Sequence, residues 1–187
     1  MKKTDASPPD WPTLALIAAS YAAWAFATTG LWALSPVLSL IATTLVVAMF
    51  SSIQHEVLHG HPFQSRIWNE ALVFPAVTLL YPYGRFRDTH LLHHHDERLT
   101  DPYDDPESNF MDPAVWSRLP GWAKAVLRFN NTLMGRLLIG PLLGTAVFWA
   151  SDLRVMRAGD RAVGAAWALH LAGLVPVVIW MIAVMKM

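Results

Sequence analysis

Apolar residues in this chain come in long unbroken runs, without the regular polar returns of a soluble amphipathic fold. Residues 13–34, TLALIAASYAAWAFATTGLWAL, carry no charge over 22 positions. As a helix that is enough to cross the ~30 Å hydrocarbon core of a bilayer. Ser35-Pro36 interrupts the run, and 36–54, PVLSLIATTLVVAMFSSIQ, resumes it. The two runs predict a transmembrane helical hairpin, because a buried soluble pair needs polar faces and neither run has one. Residues 162–185 predict a third span, interrupted only by His170 and Pro176. Residues 71–83 are apolar for only 13 positions and hold two prolines, which suits a re-entrant or interfacial segment. The run 137–150 is ambiguous by length alone.

Charge arbitrates. Lys2 and Lys3 precede the first run, and eight Lys or Arg lie from His55 to Arg136, so the positive-inside rule places both regions in the cytoplasm. A span at 137–150 would put Arg154, Arg157 and Arg161 outside. Keeping it in the interface leaves them inside, so three spans are expected, with the end at Met187 outside. The fold class is therefore all-α and integral to the membrane: a hairpin, a further span, interfacial helices and a cytoplasmic histidine-rich region. A bacterial inner membrane is the expected location.

Composition agrees. Hydrophobic residues make up 54% and charged residues 15%, against roughly 25% charged in soluble domains. Formal net charge is zero, which gives no field for nucleic acid. The absence of cysteine removes disulfides, thiolate metal sites and thiol nucleophiles. The apolar run after MKKTDASPPDWP is too long for a cleaved signal peptide, so it is expected to remain as an anchor. Residues 96–113 form an acidic, proline-punctuated loop.

The chemistry lies in the histidines, seven of the eight falling between positions 55 and 95. His55-Glu56-Val57-Leu58-His59 fits the His-Glu-x-x-His pattern, in which two histidines share a helix face and the Glu serves a zinc protease as general base. A second group, His90, His93 and His94, stands at i, i+3 and i+4, also on one face. His61 falls roughly 120° off the 55/59 face and His95 points away from its group. Five imidazoles at ligand spacings form a plausible all-nitrogen cage, and imidazole suits iron, zinc, copper and nickel alike. His61, His95 and the membrane-embedded His170 are possible extra or supporting groups, as are Asp88 and Asp96, which flank the second cluster. Carboxylates there, Asp101, Asp104 and Asp105 included, can accept an imidazole's other N–H; for any single one, a solvated loop position is the better reading.

HEVLH, followed 31 residues later by HLLHH behind a paired span, resembles the first two histidine boxes of the membrane fatty acid desaturase superfamily. HGHPF and DDPES are similar in style to its bacterial members. The resemblance implies two non-haem iron ions, O₂ as co-substrate, a fatty acyl or other lipid substrate, and an electron donor such as a ferredoxin or cytochrome b5 type protein. It assigns His55, His59, His90, His93 and His94 as iron ligands, with no catalytic residue beyond them. Carotenoid ketolases and hydroxylases and alkane hydroxylases share the pattern and are the near alternative. A membrane zinc metalloprotease using His55, Glu56 and His59 is the distant one. The family's third box, His-x-x-His-His, is absent after His170. The expectation is of the N-terminal portion of a desaturase-like domain over 1–187, a truncated product that by itself holds iron poorly and turns over nothing, or a non-catalytic remnant.

Overall fold

A computed structural model describes residues 8–95, 97–98, 100–105, 108 and 110–185. Among these it contains ten helices and no strand. The fold is all-helical, as the runs predict. Two compact units emerge, one of residues 1–87 with 166–187 and one of residues 88–165.

The first unit opens with α1 (Trp11–Thr28), α2 (Gly30–Leu34) and α3 (Pro36–Leu58). Asp10 caps α1 by accepting from the Thr13 N–H, and Ser35 caps α3 by accepting from Leu38, each satisfying a backbone donor that a helix start leaves free. The first expected span is not one continuous helix. The Thr28 and Thr29 hydroxyls turn back onto the Trp24 and Ala25 carbonyls, competing with the helical ladder where Thr29 leaves helical backbone. The second helix runs four residues past position 54, to Leu58.

The core of this unit is Ile17, Phe50, Ile53, Val57, Val73 and Val77. Tyr21 bridges α1 to α3 and to the end of α4 (Arg66–Leu72): its ring meets Phe50 edge-on at 5.2 Å, and its hydroxyl donates to the Leu72 carbonyl at 2.8 Å. Residues 73–82 are non-helical, broken by Pro75 and Pro82. Val73, Ala76 and Val77 there are buried, which is the condition under which irregular backbone is tolerated at membrane depth. Helix α10 (Arg161–Met185) closes against this segment. The Ala76 N–H donates to the Gly173 carbonyl at 3.0 Å, and Trp180 Nε1 donates to the Thr28 hydroxyl at 3.0 Å.

The close approach at Gly173 makes a testable difference. A Cβ there would strike the Phe74 carbonyl, whereas a Cβ at Gly164 on the same helix meets nothing within 4 Å. Gly173→Ala should therefore destabilise by about 1–3 kcal/mol. Gly164→Ala should stabilise by about 0.5–1 kcal/mol through helix propensity. Thermal melting in one detergent reads both; shifts of the same sign would refute the close approach.

Among the described residues, three helical stretches are long and apolar enough to cross a membrane: Trp11–Leu34, Pro36–Leu58 and Arg161–Val184. Only 22%, 17% and 17% of their apolar windows are buried within the protein. So much outward-facing hydrocarbon calls for lipid around it.

The second unit holds the end of α5 (Tyr83–His95), then α6 (Pro113–Arg118), α7 (Gly121–Asn130), α8 (Leu133–Leu138) and α9 (Gly140–Arg157). Asp112 starts α6, accepting from the Ala114 N–H at 2.5 Å and from the Tyr103 hydroxyl at 2.9 Å. The 137–150 run belongs mainly to α9, which continues through Arg154 to Arg157 and is not among the membrane-length helices.

Candidate metal centre

Two helix ends present the histidines. Helix α3 keeps its geometry through His55, and His59 is its C-cap, with its N–H on the His55 and Glu56 carbonyls. One helical turn therefore separates the two imidazoles, whose ring centroids are 4.7 Å apart. Gln54, Val57 and Leu58 are buried around them, which anchors this turn while His55 stays part-exposed. Glu56 lies beside the pair, its Oε1 3.4 Å from His55 Nδ1. At Gly60, with φ of +100°, the chain turns away through a conformation that favours glycine.

The second group sits on the last turns of α5, within the second unit. His90 is buried, and its Nε2 lies 2.9 Å from Nε2 of His94. Two nitrogens bound at ~2.0–2.1 Å to one ion, at about a right angle, stand roughly this far apart. The donor set fits a borderline divalent metal. His93 is turned differently: its Nδ1 is 2.7 Å from Oδ1 of Asp105. A carboxylate accepting the Nδ1–H fixes the tautomer and leaves Nε2 as the lone-pair nitrogen.

Asp105 is itself held firmly. Its side chain is only 3% exposed, and its second oxygen accepts the Thr100 N–H at 3.0 Å. Thr100 adopts φ of +78°, a region that costs a β-branched residue of order 1–3 kcal/mol. The strained backbone is what aims that N–H at the carboxylate. The loop folds around this point: Ser108 donates its hydroxyl to the Thr100 carbonyl at 2.8 Å and its N–H to the Asp105 carbonyl at 3.1 Å.

Of the supporting candidates, three histidines bond groups outside the two histidine pairs. His61 pairs with Asp10, Nδ1 to Oδ2 at 2.9 Å. Hydrogen bonds from Thr13, and after them His61, hold the Asp10 carboxyl below its ordinary pKa. His95 Nδ1 donates to the Leu91 carbonyl at 2.6 Å, within its own helix. His170, in α10, is buried, donates Nε2–H to the Leu79 carbonyl at 2.9 Å, and packs edge-on against Trp167. Asp88 is on the exposed side of α5, and Asp96 lies outside the described residues. Asp101 accepts from the Tyr103 and Asp104 N–H groups, and Asp104 pairs with Arg98. The carboxylate on His93 is thus Asp105, which sequence reasoning ranked with its solvated neighbours. No periodicity points to it, since its position depends on the turn at Thr100.

His55, His59, His90 and His94 are able to act as metal ligands. Membrane-length helices and imidazole pairs set one helical turn apart define a class: an all-helical membrane protein with a histidine-rich site fit for a metal. The fatty acid desaturase family model matches residues 30–186, and the chain belongs to that family. No curated protein and no solved structure gives a significant match.

Proposed function

We propose that this protein is a membrane-bound, O₂-dependent di-iron oxidoreductase that introduces a double bond into a fatty acyl chain. The observation that carries the reading is the 2.9 Å approach of the His90 and His94 Nε2 atoms in a chain that belongs to the desaturase family. His55 and His59 supply a second imidazole pair of the same helical spacing. His93 supplies a fifth ring, its tautomer set by Asp105.

Iron, when bound, supplies the O₂ reduction and C–H oxidation that no side chain here can perform. The balance is one O₂, two electrons from a donor protein and two protons consumed per acyl –CH₂–CH₂– unit, giving –CH=CH– and two waters. The protein's part is to orient the rings, as the Asp105 carboxylate does for His93. The basic residues from Arg66 to Arg136 support placing the histidines on the cytoplasmic side, where a soluble electron donor has access.

Acyl-chain mass spectrometry on membranes from cells expressing the gene tests this. A product two mass units lighter that forms with O₂, and vanishes without O₂ or in the His90→Ala variant, would support the reading and overturn the expectation that this chain, with two of the three histidine boxes, turns over nothing. Zinc in place of iron in the purified protein, together with unchanged acyl chains, would sink the proposal.

A further inference from the structure

Helix α7 repeats apolar residues at Trp122, Ala125, Val126 and Phe129, the spacing of one helix face. Such a face normally packs inward. Here Trp122 is 73% exposed and Phe129 43%. The face continues into a groove completed by Ile139, Leu142 and Leu143, with every lining side chain apolar. Helix α8 extends the surface through Leu133, 75% exposed, and Leu137, 65% exposed.

The charge beside this surface has one sign. Between Asp112 and Asp152 there is no acidic residue, while Arg118, Lys124, Arg128 and Arg136 lie in that stretch. Two of the cations lean toward α6: Lys124 donates to the Ser117 carbonyl at 3.0 Å, and the Arg128 guanidinium stands 5.7 Å over the Trp116 ring. Neither has a carboxylate partner among the described residues.

We propose that α7 and α8 lie flat on an anionic lipid surface, with the Trp122–Phe129 face at the acyl boundary and the four cations among the headgroups. Exposed aromatic and aliphatic side chains bordered by cations are what an interfacial helix needs, and each cation near an anionic surface adds to the attraction. Tethering favours lipid over a soluble acidic partner: α9 ends at Arg157, and the membrane-length stretch of α10 begins at Arg161. The inference goes beyond the metal site and stands whether or not the protein desaturates anything.

The chain has no cysteine, so single labels can be placed without further substitution. Spin labels at Val126→Cys and, as the control, Ala158→Cys would be read in full-length protein in nanodiscs. One set would hold phosphatidylcholine alone, the other phosphatidylcholine mixed with phosphatidylglycerol. Expected is a label at 126 that oxygen reaches and a water-soluble nickel relaxant does not, with the contrast growing when phosphatidylglycerol is present. The label at 158 should favour nickel in both. Lys124→Glu with Arg128→Glu should remove the dependence on phosphatidylglycerol. Nickel access at 126 equal to that at 158 would overturn the proposal, as would an immobilised spectrum at 126 that reports protein covering the face. Equal burial in both lipids would overturn its anionic part.

Discussion

Replacing His94 with alanine is expected to lower the affinity of the protein for divalent metal by more than the ~10–100-fold typical of losing a supporting hydrogen bond, and to abolish turnover. His94 contributes one of two nitrogens held 2.9 Å apart by a single helical turn, so its removal breaks that pair. The neighbouring His95 is the matched control. Its Nδ1 is committed to the Leu91 carbonyl, and His95→Ala should leave affinity within a few-fold of the parent. Competition titration with Co(II), whose visible spectrum reports its ligands, separates the two. Equal losses from both variants would mean that the effect is on the helix and not on the site.

The second large effect is expected at Asp105. Asp105→Asn keeps size and shape but replaces a charged acceptor with a neutral one, and its amide N–H₂ would face the Thr100 N–H. A metal-affinity loss of about 10–100-fold is expected. A structural role alone would lower the melting temperature and leave the His93 ring unchanged. A positioning role changes the tautomer, so nitrogen chemical shifts of the His93 imidazole decide the matter. An unchanged tautomer in the variant would refute the assignment to Asp105. Restoration of the shifts by Asp105→Glu would support it, provided the longer carboxylate reaches the ring.

The parts of this protein that were legible from sequence are those with a period or a length. A charge-free run of 22 residues has few fates other than a membrane helix, and histidines four apart meet wherever a helix carries them. Both conditions hold: α3 stays helical to Leu58 and α5 to His95. What escaped the pattern is local and polar. The break between α1 and α2 depends on two threonine hydroxyls choosing backbone carbonyls, and Thr44 makes the same bond to Leu40 without breaking α3. The Asp105–His93 contact depends on a left-handed threonine in an aperiodic loop. The apolar segment 71–83 divides between the end of α4, a part-buried turn and the start of α5, because Pro75 and Pro82 exclude a continuous helix.

The His90 and His94 rings are linked through one turn of α5, the last that is described. An ion gripped by both rings would act as a staple across that turn. Loading and local folding are then the same event, and amide exchange over residues 91–95 should slow when metal is added.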